Sequence, residues 1–505
     1  MLIKFSDKPD ASFYFNHPTE MLSQKALDRR EKYNIEIDFL DVPVSSDYVE
    51  IIKDLEIEVI GVSKWFNGIF VKLQESQKES IEQLDFVEEI ISFVNHPDAA
   101  EITPLPNKLA PQPQTLDYSS TQNQINQINL QALFDEGFTG EGISIAVFDN
   151  GFEGVENNIG FSYMFENNKL KETYNFITQS QDVFSEGNHG TRVLSTIAGY
   201  IENEFTGTAI DADFYLFVTE NNQHELPDEE IHWVLAAEKA DSLGVDIINT
   251  SLGYFEFDDP RYNYHYQDMD GQTTYISRAS QIAFEKGILS VASAGNAGNT
   301  DWHYITAPAD AEGTFSIGAV NMSNEAAGFS SYGPTSDNRI KPDIAALGVS
   351  AAVILNGEIS HANGTSFSSP IIAGAMACLL QAFPETDLTY LKQKVKNSAH
   401  LFPFSNNQMG FGVPDFGEVY NQLLTTEKFS FKEDLKIWPN PIEDFLFYDT
   451  ALKVKKIKIV SFEGKILRNY STETPLNLAD LPAGNYFINF QFDNGRKANR
   501  KIIKK

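Results

Sequence analysis

The feature that most constrains the fold is an alternation running through residues 118–425. Apolar strands end in small or polar residues, and helical stretches lie between them. GISIAVFDNG (142–151), GVDIINTSLG (244–253) and GILSVASAGN (287–296) are three such strands. HELPDEEIHWVLAAEKADSLG (224–244) reads as one of the helices between them. Continuous apolar strands separated by helices predict an α/β unit: a parallel sheet with helices on both faces. In such sheets ligands collect at the carboxyl ends of the strands.

The flanking regions read differently. Residues 1–96 suggest a small α+β domain. IEIDFLDVPV (35–44) and FNGIFVKL (66–73) have the pattern of strands. SDYVEIIKDL (46–55) and SQKESIEQL (76–84) have that of helices, with Ser46 and Ser76 as N-caps. Residues 97–117, rich in Pro, Gln and Asn, read as an extended linker open to proteolysis. Residues 430–505 hold short strands and a hairpin turn at Asp493-Asn494-Gly495, which suggests a small β-sandwich. This last stretch carries 14 basic and 9 acidic residues, whereas the whole chain has 38 basic and 71 acidic, a net charge of −33. A tail of opposite sign marks a separate module. No fixed-period repeat is present.

Composition excludes several classes. With 42% hydrophobic and 22% charged residues, the chain can bury a large core and is not built for disorder. Its acidity repels phosphate backbones, so nucleic acid is not expected as a partner. The single cysteine, Cys378, rules out an intrachain disulfide, and its apolar neighbours place it on a buried helix face. The longest apolar run, Pro370–Leu380, is too short for a transmembrane segment. The N-terminus lacks the long apolar centre of a signal peptide. The protein is therefore either cytoplasmic or numbered from after a removed signal.

Four residues at element ends bear on chemistry. Asp149 ends an apolar strand, where a carboxylate is costly unless paired; alone it reads equally well as a turn cap. His189 lies between Asn188 and Gly190 at a helix entry, a setting also open to a capping histidine. Ser366, in Gly364-Thr365-Ser366-Phe367-Ser368-Ser369-Pro370, precedes a long apolar helix. There the unpaired N–H groups and the helix dipole favour negative charge, although an ordinary serine cap would look the same. Asn296 ends a strand, where a turn asparagine is also common. Together they suit nucleophilic catalysis. A hydroxyl needs a base, imidazole has the right pKa, a carboxylate orients it, and amide donors hold an oxyanion. A small-ester hydrolase is a weaker reading, because the serine does not lie in a G-x-S-x-G elbow. A binding protein on an inactive scaffold would not need all four residues.

AVFDNGF (146–152), HGTRVLST (189–196), NTSLG (249–253), ASAGN (292–296) and GTSFSSP (364–370), in that order, resemble the subtilisin-like serine proteases. FSSYGPTSDNRIKPDIAALG (329–348) resembles the same family's region ahead of the nucleophile. The resemblance covers about residues 118–425 and implies a serine-type endopeptidase. It implies Ser366 as nucleophile, His189 as general base then acid, Asp149 as orienting carboxylate and Asn296 as oxyanion donor. It also implies that Ser251, Leu252 and Gly253 pair with the substrate backbone, and that Ala294 and Gly295 border the pocket for the residue before the cleaved bond. No cofactor is implied for the chemistry. One departure is Asn150, where relatives often have Ser or Thr. Another is the long segment 254–274, whose Asp258, Asp259, Asp268 and Asp270 read either as solvated loop acids or as ligands of a structural calcium ion.

Residues 1–96, and LSQKALDRREKYNIEIDFLDVPVSSDYV (22–49) in particular, resemble the pro-regions of exported bacterial subtilases. This implies a zymogen whose pro-region acts as folding aid and temporary inhibitor until cleavage in the linker. Trp438-Pro439-Asn440-Pro441, Glu463-Gly464-Lys465, LNLADLPAGNYF (476–487) and the basic end RKIIKK (500–505) resemble the sorting domain read by the bacterial type IX secretion machinery. The expected location is thus secreted or cell-surface, with protein or peptide substrates, and the numbered chain is expected to begin downstream of a signal peptide.

Overall fold

A strand with no exposed residue on either side must be covered on both faces, and this is the condition of the central strands. In the computed structural model every residue of β5 (Ser144–Asp149), β10 (Ile247–Thr250), β11 (Leu289–Ser293), β12 (Phe315–Val320) and β13 (Ile344–Leu347) is buried. The structure describes residues 1–93, 95–96, 121–424, 435–450, 453–461, 466–470, 474–492 and 497–505. It divides into two compact units, Met1–Val419 and Tyr420–Lys505.

The first unit opens with an antiparallel sheet of β1 (Leu2–Phe5), β2 (Glu58–Ser63), β3 (Gly68–Lys72) and β4 (Val87–Ile91), in the order β2-β3-β1-β4. With it come α1 (Ala11–Asn16), α2 (Gln24–Tyr33), α3 (Ser46–Lys53) and α4 (Glu75–Glu82). The main sheet adds β6 (Leu170–Asn175) and β9 (Asp213–Val218), and its seven strands run parallel in the order β13-β12-β11-β10-β5-β9-β6. A short pair, β7 (Tyr200–Ile201) and β8 (Phe205–Thr206), and a hairpin, β14 (Ala351–Leu355) and β15 (Glu358–Ala362), lie outside it. Small helices α5 (Thr121–Gln127), α6 (Gln131–Phe134) and α7 (Ser162–Glu166) precede the larger α8 (His189–Ala198), α9 (Asp228–Leu243), α10 (Tyr275–Glu285), α11 (Thr365–Ala382) and α12 (Leu388–Ser398). α8 packs with α11, and α9 with α10, so helices clothe the buried sheet. α11 has the length and apolarity of a membrane span, but 89% of it is buried inside the protein. Cys378 is buried there, its Sγ donating to the Thr208 carbonyl at 3.2 Å, and burial pushes its thiol pKa up.

The small N-terminal sheet turns an apolar face to α9 and α10. Leu2, Trp65, Phe66 and Phe70 join Ile231, Trp233, Tyr275 and Ile276 in one buried cluster. Beside it lies a buried ionic network. The Arg29 guanidinium donates to Asp241 Oδ1 at 2.5 Å and to the Lys286 carbonyl at 3.1 Å. Arg30 bridges Asp41 and Asp241, Lys64 reaches Asp241 at 3.3 Å, and Lys286 reaches Asp41 at 3.1 Å. Burial alone would raise the Asp241 carboxyl, but Lys64, Arg29 and Arg30 outweigh it and hold the pKa at about 2.

Two local expectations fail. Residues 35–44 form no strand, despite their alternation. Their carbonyls are claimed by a side chain: Lys8 Nζ donates to the Phe39 and Val42 oxygens at 2.6 and 2.7 Å, while Asp41 is held by Arg30 and Lys286. Ser46 and Ser76 are not N-caps but lie inside the first turns. Ser45 takes the N-cap position of α3 without a side-chain capping bond, and Gln74 takes that of α4, where Gln77 Oε1 accepts from Gln74 N at 3.0 Å.

In the second unit β16 (Lys436–Trp438), β17 (Phe445–Asp449) and β20 (Leu476–Asn477) form one antiparallel sheet. β18 (Val454–Ser461), β19 (Ile466–Tyr470), β21 (Gly484–Phe492) and β22 (Lys497–Lys504) form another. Leu446, Leu476, Ile457, Ile488 and Phe490 share the core of these two small sheets. The turn at 493–495, Glu463-Gly464-Lys465 and the linker 97–117 lie outside the described residues.

Replacing Asp241 by Asn would leave the buried Arg29 guanidinium without its counter-charge and Arg30 with Asp41 alone. D241N is expected to cost about 3–5 kcal/mol in urea unfolding of the intact chain. A carboxyl held below its usual 3.8 contributes stability above that pH and loses it as the pH falls toward 2. The variant should lack this part of the parent's acid sensitivity.

Candidate active site

The site lies where neighbouring strands β5, β10 and β11 reach their carboxyl ends. Asp149, the last residue of β5, has no exposed surface, and its Oδ1 meets His189 Nδ1 at 2.7 Å. A carboxylate only accepts, so Nδ1 is the donor in this bond, and a neutral imidazole so held keeps its lone pair on Nε2. The Asn150 N–H donates to the same oxygen at 2.8 Å. His189 itself starts α8 and is 3% exposed.

Local backbone explains how this pair is set. Gly151, with φ of 141°, brings the turn after Asp149 so close to the loop before α8 that a Cβ there would lie 1.9 Å from the Glu186 carbonyl oxygen. Only glycine fits both the angle and the gap. Asn150, in the position where the sequence departs from the family pattern, reaches across to the segment after β9: its Nδ2 donates to Asn222 Oδ1 at 2.7 Å.

Ser366 is the second residue of α11, and the ring of its neighbour Phe367 lies 5.9 Å from the His189 ring, centre to centre. Among the described hydrogen bonds the Ser366 hydroxyl donates to the Ser251 carbonyl at 3.1 Å, and none joins it to His189. Ser251 Oγ in turn donates to the Ser366 carbonyl at 2.8 Å. In a regular helix that carbonyl would take the N–H of residue 370, but Pro370 has none, so the Ser251 hydroxyl supplies the missing donor. This exchange between strand end and helix start was not legible in the motifs taken separately, although Pro370 was its signal.

Asn296 is oriented by its oxygen. Oδ1 accepts from Thr365 N and from Thr365 Oγ1, each at 2.9 Å. That leaves the Nδ2 donors directed elsewhere, and Nδ2 lies 3.6 Å from where a Cβ on Gly364 would be. Gly364, the residue before α11, has φ of 146°, a conformation that favours glycine. Among the described hydrogen bonds the Ser366 N–H, in the first turn of α11, has no acceptor. An amide side chain and a backbone N–H thus lie at the start of α11.

Ser251, Leu252 and Gly253 run from the end of β10 toward a bridge between Tyr254 and Ala307; Ser251 and Leu252 are each 3% exposed. Ala294 is fully buried, its carbonyl accepting from Thr306 N at 3.3 Å, while Gly295 N donates to Thr365 Oγ1 at 3.3 Å. A cavity of about 230 Å³ adjoins Asn150 and is walled by Asp182, Glu186, Glu220, Asn221 and Asn222.

The four acids of segment 254–274 do not converge. Asp258 pairs with His224 at 3.0 Å, Asp259 with Arg261, and Asp270 accepts the N–H groups of Gln272 and Thr273. Asp268 likewise faces a histidine from another segment, His96, at 3.1 Å. The loop-acid reading therefore fits, and a calcium ion held by all four does not.

The sequence model of the Bacteroidota peptidase S8 propeptide domain matches residues 1–106, and that of a secretion system C-terminal sorting domain matches residues 436–505. Subtilisin NAT of Bacillus subtilis subsp. natto is 29% identical over 286 residues, which are 54% of this chain and 65% of that protein. The chain thus spans just under two thirds of that relative's length. Alkaline elastase YaB of Bacillus sp. strain YaB is 25% identical over 395 residues, 75% of this chain and 88% of that one. Among solved structures, a protease of Pseudoalteromonas arctica aligns over 60% of this chain and 97% of its own, with a TM-score of 0.47 and 19% identity. The subtilase family model matches residues 140–412, more than half of the chain, and the protein belongs to that family.

Proposed function

We propose that this chain is a secreted serine endopeptidase, made as a zymogen, that cleaves peptide bonds through an acyl-enzyme. The observation that carries the proposal is the 2.7 Å bond from His189 Nδ1 to buried Asp149, which leaves Nε2 available as a base, with the ring of Phe367, the residue after Ser366, 5.9 Å from the imidazole. Turning the Ser366 hydroxyl away from the Ser251 carbonyl, about its Cα–Cβ bond, would offer its proton to Nε2; such bonds often form only when substrate is bound.

In this reading His189 takes the Ser366 proton as Oγ attacks the peptide carbonyl. The oxyanion forms beside the Ser366 N–H and Asn296 Nδ2. His189 then gives the proton to the leaving amine, and an ester joins the acyl group to Ser366. Water, deprotonated by His189, attacks that ester and restores the hydroxyl. Asp149 holds the ring and stabilises its charged form throughout. Ser251–Gly253 would align the substrate backbone as an added strand, with Ala294 and Gly295 beside the side chain preceding the cleaved bond. No cofactor enters these steps. The pro-region would inhibit until residues 97–117 are cut, and the C-terminal unit would direct the protein through the type IX machinery to the outside or the cell surface.

Ser366→Ala is expected to leave the chain at full length in mass spectrometry, and a fluorophosphonate probe should label the parent but not the variant. Normal maturation of the variant, or no labelling of processed parent, would overturn the assignment. Asn296→Ala should lower kcat by about 10²–10³-fold with little change in KM, since its bond to the oxyanion is made mainly in the transition state. Equal loss in both constants would remove Asn296 from that role.

A further inference from the structure

His96 lies at the far end of the N-terminal region, and His265 and Asp268 lie in the long segment after the Ser251–Gly253 stretch. The fold brings them together. The two imidazole rings stack at 3.8 Å, inclined by 25°. His96 Nε2 lies 3.1 Å from Asp268 Oδ2, and the available ligand atoms of all three side chains fall within 4.8 Å of one another. The backbone secures both sides: His96 N donates to the Arg261 carbonyl at 2.7 Å, and His265 N donates to Asp268 Oδ2 at 2.7 Å. His265 is exposed and the other two are half-buried, so an ion has access.

We propose that His96, His265 and Asp268 form a binding site for a divalent transition-metal cation, zinc above all, that fastens the end of the N-terminal region to the 254–274 segment. Two imidazole nitrogens and one carboxylate, with a position left for water, are a zinc donor set. Calcium, which requires six to eight oxygens, is not served by it. Tetrahedral ligation at ~2.0–2.1 Å places donor atoms about 3.3 Å apart. Closing to that spacing would require the exposed His265 ring to turn out of the capping bond it accepts from the Asp268 N–H. The ion would take the place of the hydrogen bond between His96 Nε2 and Asp268, because a metal-bound imidazole nitrogen carries no proton. The chain's net charge of −33 favours the approach of cations. One donor comes from the region that matches a propeptide and two from the region that matches the subtilase model. The site is therefore complete only while these regions are together, and the ion would delay their separation. Binding of the ion does not depend on the chain's proposed activity; the delay of separation rests on the proposed cleavage between the two regions.

The test uses the full chain carrying Ser366→Ala, purified through a histidine-free tag, stripped with chelator and titrated with Zn²⁺ by calorimetry. One ion per chain is expected, with affinity falling by at least about tenfold in His96→Ala and in His265→Ala, both with unchanged circular dichroism. Zn²⁺ should also raise the urea midpoint of the parent and not of the two variants. Failure of the intact chain to bind Zn²⁺, or binding untouched by either substitution, would overturn the proposal. In the second case the ion would sit elsewhere, for example among Glu220, Glu225 and Glu229.

Discussion

The hydrogen bond between Asp149 and His189 is the contact on which the site depends. A carboxylate with no exposed surface is tolerable only when donors reach it, and here the imidazole and the Asn150 N–H do so. The bond fixes the tautomer and the direction of the ring. It also explains the glycine after Asn150, because the loop before α8 can approach β5 closely enough only if residue 151 has no side chain. The same approach puts the start of α8 beside the start of α11, where Ser366 stands.

A parallel sheet buried on both faces leaves its polar groups only one place to gather, the strand ends. β5 delivers Asp149 there, β10 delivers Ser251 and β11 leads into Asn296. α11 adds Ser366, whose N–H has no acceptor among the described residues. Thr365 ties Asn296 by its oxygen, and Pro370 frees the Ser366 carbonyl for the Ser251 hydroxyl. Each of these small bonds orients a group without occupying the atom that would act on substrate.

The N-terminal region is joined to the main sheet's helices by two kinds of contact. Apolar burial around Trp65, Phe70 and Trp233 supplies the area. The buried charges of Arg29, Arg30, Asp41, Asp241 and Lys286 supply specificity, since any slip would leave a charge without its partner in a place water cannot reach. Buried charge of this kind makes a seam that fits one register and that acid loosens.

Much of this was legible in the primary chain because it is written locally. Apolar runs of five or six residues with small ends mark the central strands, Gly364 and Pro370 bracket the start of α11, and the order of Asp149, His189, Asn296 and Ser366 carries the family likeness. What the sequence determined alone was which residue types stand at strand ends, since that depends only on neighbours along the chain. Tertiary structure decided the rest. It turned the Ser366 hydroxyl to Ser251, 115 residues away, made a loop of 35–44 by giving its carbonyls to Lys8, and stacked His96 on His265. Those outcomes are set by which groups meet across long stretches of chain, and periodicity holds no record of such meetings.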